Sequence, residues 1–584
     1  MTNLINKIIC LLIVLGTAIS VSAAPEAEFK KLIKSWTLNT DGSQEFHYNM
    51  ELTIYSYLAM RSLYGESFIQ YNPEYQTLKI NSSYTKQKDG TIVKTPDNAF
   101  VEVLPRSAAD APAYNHLKEM VVVHTGLELG ATIYLDYTIT TKAGYLPGLD
   151  IFEPIQQASP IKEYSLSVTV PVDKDLSYSL ANPQVMAKVN VEEGMRTISW
   201  KLKNVKPASL APMQRIESGD MQYLACSTFE TNKEALNYLF GQFDRPESMP
   251  LISLAETLTE GKNTDTEKLQ AIHSFIVNDF AHSRLSLSET GYHIRPAEDV
   301  IRSAYGTDAE LINLLYGLLS AAKIETKVCA AYPVKDPQEC SILKAVRLFI
   351  QAKADGQTYL LTSGSSKMSE IGWTADYCDI RDLKTGEEVD LTPCSPNLSY
   401  DVTMKLSDKE VVSSIKANIP AAFVAYSDSK ATAFSAGDKN ASVSQKENVI
   451  TVNYQTTGKV ESVPGYYLLR LPDSPAGVAH QPYASFNSTR DCNLFLPYAP
   501  NETYTYTIEG PANMELSTPT AEKNISNAAG NCLLSIKQTG NKVEVSRSLK
   551  INSNLIKRAD YPAFHALMAA WATMNDTPIL FKQK

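Results

Sequence analysis

Residues 295–324 read RPAEDVIRSAYGTDAELINLLYGLLSAAKI, and this stretch decides the fold of the chain around it. Leu311, Leu314, Leu315, Leu318, Leu319 and Ala322 recur at the i, i+3, i+4, i+7 spacing of one helix face. Ile312 widens the apolar stripe, so the helix is expected to be buried around much of its circumference. Thr307-Asp308-Ala309-Glu310 fits a capping box, with Thr307 as N-cap and Glu310 reaching back to its backbone N–H. Asp308 adds negative charge in the first turn, where the helix dipole favours it. A buried helix needs partners on several sides. Upstream, Glu267 to Phe280 places Leu269, Ile272, Phe275, Ile276 and Phe280 on one face of another helix, which leaves His273 on its polar flank. Downstream, strands are expected from Thr326 to about Leu391. Leu348-Phe349-Ile350 and Tyr359-Leu360-Leu361 are joined there by an Asp355-Gly356 hairpin turn.

On both sides of this α+β centre the period falls to two. Gln76-Thr77-Leu78-Lys79-Ile80, Thr132 to Tyr137 and Tyr164 to Pro171 alternate, with a hairpin turn at Asp89-Gly90. Val449-Ile450-Thr451-Val452 and Thr503 to Ile508 do the same in the last third, and an amphipathic helix from Tyr561 to Met574 closes the chain. The chain of 584 residues is too long for one core, since cores stop growing near about 250–300 residues. Apolar residues at 44% and charged residues at 20% exclude a disordered, collagenous or coiled-coil protein. With 54 Lys and Arg against 64 Asp and Glu, and no basic run, there is no footprint for nucleic acid. The 31 tyrosines suit a strand-rich fold.

The first 23 residues read as a cleavable signal peptide. Lys7 is the positive region, Ile8 to Ile19 the apolar region, and Val21-Ser22-Ala23 the small-residue cleavage site. The apolar region is too short to span a bilayer and no later segment is long enough, so an exported protein, periplasmic or secreted, with no transmembrane segment is expected. Seven cysteines follow the leader. In an oxidising compartment Cys329 with Cys340, Cys378 with Cys394, and Cys492 with Cys532 are the local pairs expected, which leaves Cys226 over. No metal-ligand spacing occurs, and neither a metal nor a cofactor is expected.

Two stretches resemble known families. The N-terminal part is similar to a domain of unknown function that precedes transglutaminase-like domains in exported bacterial proteins. Gln76 to Ile80, Lys88 to Val93, Gly126 to Ala131 and Pro160 to Pro171 carry the match. The middle part resembles the transglutaminase-like superfamily, through Arg295 to Ile301, Tyr305-Gly306 and the Leu-rich helix to Ile324. Tyr561-Pro562-Ala563-Phe564 and the helix around Trp571 are similar to the tail of the same exported proteins. The resemblance implies an α+β multidomain protein: a β-rich N-terminal domain at 24–235, a papain-like middle domain at 236–399 and a C-terminal β-sandwich at 400–584.

In active members of the superfamily a Gly-x-Cys-x-Asp turn places a nucleophilic Cys at the start of the buried helix. There the dipole and free N–H groups favour its thiolate. A His and an Asp on the following strands complete the triad. Matched onto this chain, those three positions fall on Asp308, Arg347 and Thr362. Arg347 stays protonated and cannot be a base, so no catalytic residue is assigned. An ion pair between Asp308 and Arg347 is expected to take the place of thiolate and imidazolium. Tyr292, His293 and Arg295 are candidates to line a groove, because aromatics and Arg dominate binding surfaces. The reading is a non-catalytic, transglutaminase-like protein of the cell envelope that binds a peptide, protein or glycan. Two alternatives stay open: a cysteine peptidase or acyltransferase using a Cys elsewhere in the middle domain, and a structural or assembly subunit.

Overall fold

In the computed structural model, residues 25–584 are described except 182–184, 245–246, 334–339, 346, 366–371, 373–374, 392–395, 408, 425–430, 447–448, 475, 511–513, 576–577 and 584. The first 23 residues, read above as a leader, and Cys394 therefore lie outside the described residues. No helix among the described residues is long and apolar enough to cross a membrane.

The helix at the centre, α5 (Asp308–Ala321), is capped by Thr307 as its sequence requires. The Thr307 hydroxyl accepts from Glu310 N at 3.3 Å, and Glu310 Oε2 accepts from Thr307 N at 2.8 Å. Leu311, Leu314, Leu315, Leu318 and Leu319 are all fully buried, each contributing about 1.5–3 kcal/mol of transfer free energy. Before it in this region come the helices α1 (Asn232–Phe240), α2 (Met249–Thr259), α3 (Asp265–Asp279) and α4 (Ala297–Ser303). Gly317 explains how α2 comes so close, since a Cβ there would stand 2.7 Å from Leu251 Cδ1. The close contact offsets the roughly 1 kcal/mol that a mid-helix glycine costs. The other side of α5 packs on a four-stranded antiparallel sheet of β1 (Glu325–Tyr332), β2 (Arg347–Ala354), β3 (Gln357–Leu361) and β4 (Asp379–Asp382), in the order β3-β2-β1-β4. Val328, Ala330, Leu348, Ile350 and Ala352 share one core with the helix. Asp355 and Gly356, both at positive φ, turn β2 into β3 as the hairpin signal implied.

The N-terminal part is built on an eight-stranded sheet that contains the strands expected at Gln76–Lys86, Thr132–Thr141 and Ile161–Pro171. Its central strand, Ala27–Leu38, runs parallel to Ile161–Pro171 and antiparallel to Gln44–Ile54. The C-terminal part has a second eight-stranded sheet and a smaller four-stranded one. Helix α6 (Tyr561–Asn575) buries Phe564, Leu567, Met568 and Trp571 in the same core as Tyr400 and Tyr504.

A buried charge cluster joins the N-terminal part to the middle. Glu310 is fully buried, and its two oxygens accept from Arg295 Nε at 2.8 Å and Arg295 Nη2 at 3.0 Å. The Tyr114 hydroxyl, from the N-terminal part, donates to Glu310 Oε1 as well. The guanidinium stacks 4.6 Å from the Tyr305 ring centroid and donates to the Tyr305 carbonyl at 2.8 Å. Ala113 N donates to the Tyr305 hydroxyl at 2.7 Å.

Removing one partner of a fully hydrogen-bonded buried pair leaves the other charged and dry, at roughly 3–5 kcal/mol. Glu310→Ala is therefore expected to lower the unfolding free energy of the full chain by several kcal/mol in urea titration. Tyr114→Phe should cost about 1 kcal/mol, one hydrogen bond. A wild-type urea midpoint for Glu310→Ala would show that the pair carries no stability.

Candidate functional site

Asp308 is the first residue of α5. Protein crowds it on most sides, yet its side chain still meets solvent, so it lies in the floor of a recess. Its Oδ1 accepts a hydrogen bond from the Ser363 hydroxyl, just beyond the end of β3. Ser363 is buried and held from behind, because His273 on α3 donates through Nε2 to the Thr362 carbonyl at 2.7 Å. Burial lowers the His273 pKa to about 4, so the ring stays neutral at physiological pH. His282, whose charge acts on Asp308, sits in a two-residue strand paired parallel with Tyr305–Gly306. The Ala281 and Ser283 N–H groups anchor that pairing at 2.9 and 2.8 Å on the Ala304 and Gly306 carbonyls. The His282 ring lies beside Gly364, where a Cβ would make an ordinary contact with Nε2 at 3.6 Å.

Crowding pushes the Asp308 carboxyl above its ordinary value, and the Ser363 hydrogen bond and the charge of His282 pull it part of the way back. The result is a solvent-reached carboxylate at a helix N-terminus, fixed by one hydroxyl and faced by one imidazole.

The expected ion pair is not formed. Ser363, not Arg347, bonds Asp308, and the pleat of β2 gives the reason. Leu348, Ile350 and Ala352 share the core with α5, so by the alternation of the strand Arg347 leaves the sheet on the opposite face, with Phe349. His273 also differs from expectation. It is fully buried, because at four residues after Leu269 it shares the apolar face rather than flanking it.

Of the groove candidates, two serve the interior. Tyr292 is buried at positive φ, and its hydroxyl donates to Asp150 Oδ2 at 3.2 Å. Arg295 is committed to Glu310. His293 is exposed, with its ring 5.9 Å from that of Tyr145. Two of the expected cysteine pairs, Cys329 with Cys340 and Cys492 with Cys532, are not made, and the third, Cys378 with Cys394, falls outside the described residues at Cys394. Cys329, Cys492 and Cys532 are free thiols. Cys329 points into a small core on the far face of the sheet with Phe349, Leu360 and Cys378, while Cys340 lies against Ser177 of the N-terminal part, its backbone N–H donating to Ser177 Oγ at 3.3 Å. Cys492 donates to Ser209 at 3.3 Å, away from Cys532 in the sandwich core. Burial pushes the Cys329 thiol up to about 12, so almost none of it is the reactive thiolate near neutral pH.

Family models place these features in context. The transglutaminase-like superfamily model matches residues 252–367, one domain of unknown function (DUF3857) matches 40–209, and a second (DUF3858) matches 466–581. A crystal structure of a putative protease from Parabacteroides distasonis is 35% identical, over 95% of this chain and 99% of that one, with a TM-score of 0.78. A putative cysteine protease from Cytophaga hutchinsonii is 14% identical, over 41% of this chain and 86% of that one, at a TM-score of 0.20. No curated protein matches the chain.

Asp150 offers the sharpest pH test of how the two parts are joined. Its Oδ2 accepts from Ile342 N at 2.9 Å and Leu343 N at 3.1 Å besides Tyr292, and the Ser341 hydroxyl also supports the carboxyl. Burial raises this carboxyl to about 6. The folded state therefore holds the proton more tightly than the unfolded chain, and stability should fall as pH rises from about 4 to 6, by on the order of 2–3 kcal/mol. Asp150→Asn, neutral throughout, should flatten that slope in urea titrations at pH 4, 5, 6 and 7. An unchanged slope would place the titration elsewhere.

Proposed function

The chain belongs to a family of three-part proteins that carry a transglutaminase-like core between two domains of unknown function, and from that premise we propose that its core is non-catalytic and binds a peptide, protein or glycan partner in the cell envelope. One observation carries the reading. Asp308 holds the first position of α5, where active members of the superfamily place the nucleophilic thiol. A carboxylate tied to Ser363 keeps the polarity of a thiolate at the helix N-terminus but cannot do thiol chemistry. A thiol elsewhere does not supply the missing group well. Cys329 is sealed on the far side of the sheet, and Cys340 lies at the contact with the N-terminal part, away from α5, where its backbone N–H bonds Ser177. The relative described as a putative protease keeps the peptidase alternative worth testing. Export rests on the leader-like first 23 residues.

In native buffer near pH 8, Cys329 and Cys532 are expected to resist iodoacetamide. With a pKa of about 12, roughly one Cys329 in ten thousand is thiolate at that pH. Asp308→Cys should add one fast-reacting thiol, read by mass spectrometry of the intact protein. The wild-type chain should neither cleave fluorescent casein nor incorporate an amine label into it. Either reaction, if abolished by iodoacetamide, would overturn the proposal and return the peptidase or acyltransferase reading.

A further inference from the structure

The C-terminal eight-stranded sheet has a polar trough on its outer face, separate from the recess at Asp308. Strands Asn397–Leu406, Glu410–Pro420 and Val449–Lys459 lie side by side in it. Their inward residues, Tyr400, Val402, Ile415, Val452 and Tyr454 among them, are buried, and the outward ones are polar. Outward polarity alone is what any half-buried antiparallel sheet shows. Here two further features turn the face into a site.

The first is a wall. Pairing of the edge strand Ser442–Lys446 stops at Ser442 opposite Asn453, and the chain before it rises over the sheet. Asp438 takes the place of the missing strand, accepting from Gln455 N at 2.8 Å and from Asn440 N at 2.9 Å. The trough is open to solvent and holds a space of about 670 Å³. The second is register. Asp401, Lys416 and Asn453 stand directly opposite one another on three adjacent strands, with Ser414 and Gln455 opposite one another two residues along. That gives acceptor, donor and amide in a row at the inter-strand spacing of about 4.8 Å.

These groups retain spare capacity. Asn453 Nδ2 donates to Ser442 at 3.2 Å and Gln455 Nε2 to Ser414 at 3.2 Å, which leaves both amide oxygens to accept. Asp401 accepts from Thr505 through one oxygen, and the Lys416 ammonium has no hydrogen-bond partner among the described residues. We propose that this trough binds a neutral glycan. Sugar hydroxyls donate and accept at once, and a row that alternates acceptors, an ammonium and amides answers both roles. Among the described residues, the apolar side chains bordering the trough, Ile415 and Tyr454, are buried beneath it, so a peptide or lipid would find no anchor on them. Two carboxylates against one ammonium disfavour a polyanion. The site does not depend on whether the core is catalytic.

The test uses the full chain in native gels cast with dextran, galactomannan, xyloglucan or α-mannan, with polygalacturonate as the anionic comparison. At least one neutral gel should retard the wild type, with apparent affinity weakened about tenfold or more by Asn453→Ala/Gln455→Ala. Lys416→Ala, an exposed change that leaves the core alone, should weaken it too and covers the case where the double variant fails to fold. Ser535→Ala, outside the trough, should leave retardation unchanged. No retardation in any neutral gel would overturn the proposal. So would retardation that both trough variants keep, or retardation confined to polygalacturonate.

Discussion

A carboxylate with no exposed surface is tolerable only when every oxygen is answered, and Glu310 is answered from three separate pieces of chain. It closes the capping box of α5 through Thr307, pairs with Arg295 before α4, and takes a hydrogen bond from Tyr114 in the N-terminal part. Because breaking such an arrangement strands a buried charge, the start of α5 is fixed in position with unusual economy of residues. Asp308, two residues earlier, inherits that position. The N-terminal part is thus a structural component of the recess, since it supplies one of the hydrogen bonds that hold the recess floor.

Much of this frame was legible in the sequence because it obeys local rules. The apolar stripe of α5, its capping box, the Asp355-Gly356 hairpin and the strictly alternating strand at Ile161–Pro171 each depend on neighbours within a few residues. Strand Ala27–Leu38 escaped notice for a physical reason. A register shift between Phe29 and Lys31 breaks its alternation, so the buried residues no longer recur at period two. Arg295 and Tyr292 show the opposite failure. Their residue types suggest a binding surface, yet long-range partners, Glu310 and Asp150, claim them for the interior. Nothing near them in sequence announces those partners.

The site was half legible. Position 308 was counted along the ungapped run between Gly306 and Leu319, and Asp308 is the first residue of α5. The partner did not follow, because the side chains of β2 alternate between two buried faces and a hairpin count cannot say which face a residue takes. Ser363 and His282 reach Asp308 from a strand end and a two-residue bridge, elements too short to carry a period. His273 could have been found, since its spacing from Leu269 and Ile276 puts it on the buried face, where a histidine needs a partner such as the Thr362 carbonyl.

Asp308 and Glu310 are two carboxylates in the same helical turn with opposite energetics, and the contrast bears on function. Glu310 is neutralised, dry and shared among several donors. Asp308 has a single hydroxyl and a nearby imidazole, and its crowding favours the protonated form. A residue serving the fold alone would be expected to resemble Glu310. A carboxylate kept partly desolvated, reached by solvent and free on one oxygen is poised to meet something from outside, because an incoming donor would recover what crowding has taken away. The proposed loss of thiol chemistry and a receptive recess are compatible on these grounds. The framework around the recess is held by welds at Glu310 and Asp150, so a ligand there would meet a preformed surface and lose little affinity to ordering it.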